Sequence, residues 1–143
     1  MKMRGAALLV LACLCSTVVG QDPQLVDLFP QSKVIASETT SNMRFGSDVA
    51  IDGQWMIAGA YFHNGGNGGS SGSVFVYQRD GAGNWVEYQI LNTSDGVSAD
   101  YFGKQVAIDG DRLVASAYGD DDNGSWSGSL YVFEWDGASW IET

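Results

Sequence analysis

The sequence predicts an all-β fold made of four-stranded antiparallel sheets stacked face to face. Three observations carry this expectation. The composition is turn-rich and strand-rich: 13 Asp against four Glu, 19 Gly, only two Pro, and 17 aromatic residues. Asp and Gly punctuate turns, whereas β-branched and aromatic residues suit strands. A long segment of the chain occurs twice. The third strand of each copy is apolar on both faces.

The repeat frames every element. Residues 45–61 read FGSDVAIDGQWMIAGAY and residues 102–118 read FGKQVAIDGDRLVASAY, identical at ten of seventeen positions at an offset of 57. The register shortens to 56 where Ser71-Gly72-Ser73-Val74-Phe75-Val76-Tyr77 meets Ser127-Gly128-Ser129-Leu130-Tyr131-Val132-Phe133, and to 55 where Trp85 meets Trp140. The length changes fall in Gly/Asn/Asp-rich stretches, where loops tolerate them.

Within the first copy, strands are expected at about 47–52, 55–60, 72–78 and 84–91. The second copy repeats them at about 104–109, 112–117 and 129–135, with a fourth strand beginning at Trp140. Asp52-Gly53 and Asp109-Gly110 mark the first hairpin of each copy, as type I′ turns in which Gly supplies positive φ. No window shows a 3.6-residue period with a cap, so no helix is expected. In the third strands Val74 and Val76 point one way and Phe75 and Tyr77 the other; Leu130/Val132 and Tyr131/Phe133 repeat this. A sheet with one wet face alternates polar and apolar residues. These sheets must therefore be covered on both sides, as propeller blades are. A β-sandwich or another stacked-sheet solenoid also covers two faces, and the period favours the propeller.

Residues 1–20, MKMRGAALLVLACLCSTVVG, have the basic start, apolar run and small-residue end of a secretory signal. An uncleaved anchor helix or a lipid on Cys13 are the alternatives; the run is short for a span of about 20 residues. Cleavage removes both cysteines, leaving no disulfide. It also moves the formal charge from −10 to −12, with five basic residues against 17 acids. Such a surface repels nucleic acid and anionic membranes, and no transmembrane segment is expected in the mature chain. The organisation read from the sequence is a signal peptide at 1–20, a lead at 21–40 that supplies a strand of a neighbouring blade, a first blade at 41–97 and a second at 98–143, its last strand cut short. Because a closed propeller takes about 4–8 blades, the chain is expected to be a fragment of a longer protein. Closure by several short chains is the alternative.

These segments resemble the FG-GAP repeats of the integrin α-chain type of propeller. Phe45-Gly46 and Phe102-Gly103 match the leading FG; Gly59-Ala60-Tyr61 and Ser116-Ala117-Tyr118 hold the GAP position. The resemblance covers about 33–143 and implies blades that bind ligands through loops at one end. It departs in two ways. Tyr replaces the Pro of GAP in both copies. The first hairpin, which in calcium-binding members carries an Asp/Asn-rich loop, is here reduced to Asp-Gly, and two loop residues cannot supply the six to eight oxygens that calcium takes. The calcium role therefore does not carry over to Asp52 or Asp109.

Few residues suggest chemistry. The loop Gly119-Asp120-Asp121-Asp122-Asn123-Gly124 offers Asp120 and Asp122 as candidate calcium ligands, against the alternative of a solvated turn; no other cofactor is expected. His63, the single histidine, has no acid or nucleophile beside it in sequence and reads as a loop residue. No catalytic residue is identified. Asn92-Thr93-Ser94 and Asn123-Gly124-Ser125 are N-glycosylation sequons if the host is eukaryotic. Trp85 and Trp140 repeat and read as structural. Trp55 and Trp126 do not, and Trp126, beside the acidic loop, is the candidate ligand contact. The function expected is that of a non-enzymatic, secreted or surface-exposed module binding a protein or carbohydrate through the unlike loops 61–71 and 118–127. The alternative is the propeller part of a larger secreted hydrolase or lyase.

Overall fold

Two four-stranded antiparallel sheets follow one another in the computed structural model, which describes residues 33–143. The signal segment 1–20 and the lead up to residue 32 lie outside the described residues. The first sheet runs β1 (Val49–Asp52), β2 (Trp55–Ala60), β3 (Ser73–Arg79), β4 (Trp85–Leu91); the second runs β5 (Phe102–Asp109), β6 (Arg112–Ala117), β7 (Ser129–Trp135), β8 (Trp140–Glu142). Each is a meander in sequence order, the arrangement of two propeller blades. Among the described residues there is no helix, so none long and apolar enough to cross a membrane.

The first hairpin of each blade closes one residue later than expected. Asp52 pairs with Trp55 and Asp109 with Arg112, so the loop residues are Gly53-Gln54 and Gly110-Asp111. Only the Gly has positive φ, 54° and 56°. That is the pattern of a type II′ turn, with Gly first, rather than type I′.

The registers explain why the third strands are apolar on both sides. In the first blade Ala50, Ile57 and Val76 share one face, while Val49, Ala58 and Phe75 share the other. In the second, Val106, Ala115 and Tyr131 share one face, while Ala107, Val114 and Val132 share the other. The aliphatic face of the first blade meets the aromatic face of the second: Ile57, Val74 and Val76 pack with Phe102, Leu113, Tyr131 and Phe133. Each large side chain buried there contributes about 1.5–3 kcal/mol. Trp55 joins this core beside Trp135 and Trp140, at ring separations of 4.8 and 5.5 Å. An unrepeated tryptophan is expected to face ligand or solvent; Trp55 does not, for it is buried in this core. Its counterpart is Arg112, on a face that nothing covers among the described residues.

The outer faces differ. Phe75 and Tyr77 of the first blade are covered by Val34, Ala36, Met43 and Phe45, which precede it in the chain. On the second blade Leu130 is 72 % exposed, whereas its counterpart Val74 is 0 % exposed.

Polar contacts fasten the blades together. Asp52 Oδ2 accepts from the Gly110 N–H at 2.7 Å, and Asp48 Oδ2 from the Val106 N–H at 2.9 Å. The Ser94 N–H and hydroxyl donate to the two carboxylate oxygens of Glu142, at 2.9 and 2.8 Å. The same clasp recurs one repeat earlier, where the Ser37 N–H and hydroxyl donate to Glu87. Gly72 makes a parallel bridge to Phe102; its φ is +91°, and a Cβ there would collide with the Phe102 backbone.

Candidate functional site

Loops 61–72, 92–101 and 118–128 emerge at the same end of the two sheets, because β2, β4 and β6 finish where β3, β5 and β7 begin. Five aromatic rings from these loops form a continuous surface. Tyr61 lies 4.5 Å from Phe62, which is 5.4 Å from Tyr101. Tyr101 stacks on Tyr118 at 5.0 Å and 12°, and on Trp126 at 6.0 Å and 27°. Tyr118 and Trp126 are 5.9 Å apart at 38°. Exposure rises along the series to 40 % at Tyr118 and 61 % at Trp126. The Lys104 ammonium sits 4.0 Å above the Tyr61 ring, a cation–π contact that occupies one face of it. Burial and the neighbouring Tyr101 and Tyr61 phenols raise the Tyr118 pKa.

Two of these rings stand on backbone that disfavours them. Tyr101 and Trp126 have φ of 58° and 57°, a region that costs bulky residues roughly 1–2 kcal/mol. The repeat itself imposes this conformation: the equivalent residues Arg44 and Ser70 have φ of 60° and 57°. Arg and Ser fill those positions in the first copy, so the fold does not demand aromatic rings at 101 and 126.

Beneath the loops lie two equivalent polar clusters. In the first blade His63 is buried, with Nδ1 2.8 Å from Ser73 Oγ and Nε2 3.9 Å from Glu38. The Ser73 hydroxyl has one proton and two other acceptors in reach, Asn92 Oδ1 at 2.6 Å and Gly72 O at 2.8 Å. By this counting Nδ1 is assigned as the protonated nitrogen, donating to Ser73. Serine, histidine and carboxylate are the ingredients of an activated nucleophile, but Ser73 is 0 % exposed and committed to the core. The sequence reading of His63 as a partnerless loop histidine is corrected: it is buried, and it ties the loop to Ser73.

Asp120 holds the His63 position in the second blade. Its Oδ2 accepts from the Tyr131 hydroxyl at 2.9 Å, its Oδ1 accepts from the Asp122 N–H at 3.2 Å, and Asp95 reaches the same Tyr131 hydroxyl at 2.8 Å. Burial and these hydrogen bonds raise the Tyr131 pKa. Nearby Asp100 is also buried, and burial together with the charges of Asp120, Asp121 and Asp122 raises its pKa.

The candidate site residues are thus placed as follows. Asp120 turns inward onto Tyr131 and Asp122 is exposed. Among the described residues no three His, Cys, Asp or Glu side chains are placed to hold a metal ion. Trp126 joins the aromatic surface. Asn123 and Ser125 are exposed; Asn92 is exposed too, its Oδ1 accepting from the Ser73 hydroxyl, and Thr93 beside it is buried. Sequence reasoning missed Tyr61, Phe62, Tyr101 and Tyr118. A signal for them was present: Tyr61 and Tyr118 both replace the Pro of GAP, and Tyr101 directly precedes the second FG.

The sequence pattern of the FG-GAP repeat matches residues 29–77 and again 85–133. The chain belongs to the FG-GAP repeat family. No curated protein matches it. The second FG-GAP match starts one strand before its blade: it takes β4 of the first blade with β5, β6 and β7 of the second. The structure also explains part of the motif. Gly59, of the GAP triplet, sits where a Cβ would collide with the carbonyl of Gly103, of the FG pair. The two signature glycines are a point of close approach between the blades.

Proposed function

We propose that this FG-GAP chain is a non-catalytic, exported binding module that meets a protein or carbohydrate ligand with the loop end of its blades. The observation that supports it most is the aromatic surface from Tyr61 to Trp126. Exposed, contiguous aromatic area is costly to leave in water and is the usual anchor material of binding sites. Trp126 is the central contact. Export is read from the secretory pattern of residues 1–20. In a eukaryotic host the sequons at Asn92 and Asn123 are both exposed at their asparagines and open to glycosylation. The test is binding of the chain to immobilised glycans and to cell surfaces, compared with Trp126→Ala. A loss of at least tenfold with an unchanged melting temperature supports the reading; equal binding by wild type and variant overturns it.

A further inference from the structure

We infer that the Tyr101–Tyr118–Trp126 surface is a subsite for a neutral, hydroxyl-rich sugar; the inference rests on the loop end being the ligand-binding end. Ring geometry narrows the ligand first. A cage for an organic cation sets rings at steep angles around the charge, but these three lie within 38° of one another. The rings stack on one another, and the most exposed of them, Trp126, presents a flat face of the kind that packs on the apolar face of a pyranose. The one ring that receives a cation, Tyr61, already holds Lys104 at 4.0 Å.

Charge narrows it further. Asp121 and Asp122 are exposed in the loop that carries Trp126, and the whole chain has a formal charge of −10. Phosphate, sulfate and uronate groups are repelled there. The same carboxylates, with the Asn123 amide, are acceptors for hydroxyl groups, and a hydrogen bond to a charged acceptor is worth more than a neutral one.

Shape agrees. An open recess of about 320 Å³ adjoins Tyr118 and is lined also by Leu130 and the serines 116, 127 and 129. It pairs apolar wall with hydroxyl groups, as a sugar ring does. Protein ligands favour deeper apolar pockets for their anchor side chains. The first copy has Arg44 and Ser70 at the positions of Tyr101 and Trp126, with the same backbone conformation, so the fold does not account for the rings.

The test uses the full chain from a host that does not N-glycosylate, because Asn123 lies in the same loop as Trp126. Tryptophan fluorescence and calorimetry are followed against a soluble β-1,3-glucan, a xylan, a galactomannan and N-acetylglucosamine oligomers, with heparin and polygalacturonate as acidic contrasts. Saturable binding to at least one neutral probe is expected, little affected by salt, and weakened at least tenfold by Trp126→Ala and by Tyr118→Ala at unchanged melting temperature. Binding to none of the neutral probes, or only to the acidic ones, overturns the inference. If Trp126→Ala nevertheless abolishes attachment to a protein or cell surface, the broader binding reading survives. If Trp126→Ala leaves every observed attachment intact, both fail.

Discussion

His63 carries a pH dependence whose sign follows from its surroundings. Burial lowers its pKa below the ordinary 6.5, outweighing the opposite pull of Glu38. The native state therefore binds the proton less readily than the unfolded chain. Its contribution to stability is present above the unfolded value and is lost as pH falls through 6.5 toward the folded value. Stability measured by denaturant unfolding is expected to fall as pH drops below the ordinary imidazole value of 6.5, and His63→Gln is expected to flatten that slope. A slope in the variant equal to the wild type would assign the dependence to other groups. None of this was legible from local sequence, because the partners Ser73, Asn92 and Glu38 lie 10, 29 and 25 positions away. The equivalence of His63 and Asp120 was visible in the repeat, but their shared burial was not.

At the scale of strands and loops, the two copies give matched experiments. Gly59 and Ser116 are equivalent, yet only Gly59 faces another blade. Gly59→Ala drives a Cβ into the Gly103 carbonyl and is expected to cost about 3 kcal/mol, because backbone must move to admit it. Ser116 holds a single hydrogen bond, accepting from the Gln105 N–H at 3.1 Å, so Ser116→Ala is expected to cost about 1 kcal/mol. Similar losses for both would sink the close-approach explanation of the motif. The Ser94–Glu142 clasp is open to a double-mutant cycle in unfolding free energy, with a coupling of about 0.5–1.5 kcal/mol expected for an exposed charge-assisted pair. The strands themselves were legible because alternation and Asp-Gly turns are local signals, and β2, β6 and β7 fall where the repeat placed them. The clasps, the Asp52 cap and the burial of Trp55 were not. Each joins residues 48 to 85 positions apart, and a period cannot say which side of a blade has a neighbour. The aromatic site was half legible for the same reason: Trp126 stood out by not repeating, whereas Tyr61 and Tyr118 were hidden by repeating.

Across the whole molecule, the blades stack head to tail, aliphatic face onto aromatic face. The aliphatic face of the second blade, with Leu130 72 % exposed and Ile141 47 % exposed, is covered by nothing among the described residues. The full chain is therefore expected to self-associate through it, with a mass that rises with concentration in light scattering, and Leu130→Asp is expected to reduce that mass toward the monomer. An unchanged mass distribution in the variant would place association elsewhere. Any such contact is looser than the one inside the chain, because Ser116 and the Arg112–Glu134 ion pair replace Gly59, Trp55 and Gln78. The direction of stacking also sets an order of events. A polypeptide emerges from its amino end, and here each aromatic face is covered by residues that come earlier in the chain: 34–45 for the first blade, and the first blade itself for the second. Each new sheet thus condenses on a surface already made, and the surface left waiting is always the newest one. Folding can proceed in step with synthesis, because each new sheet finds its first partner already folded.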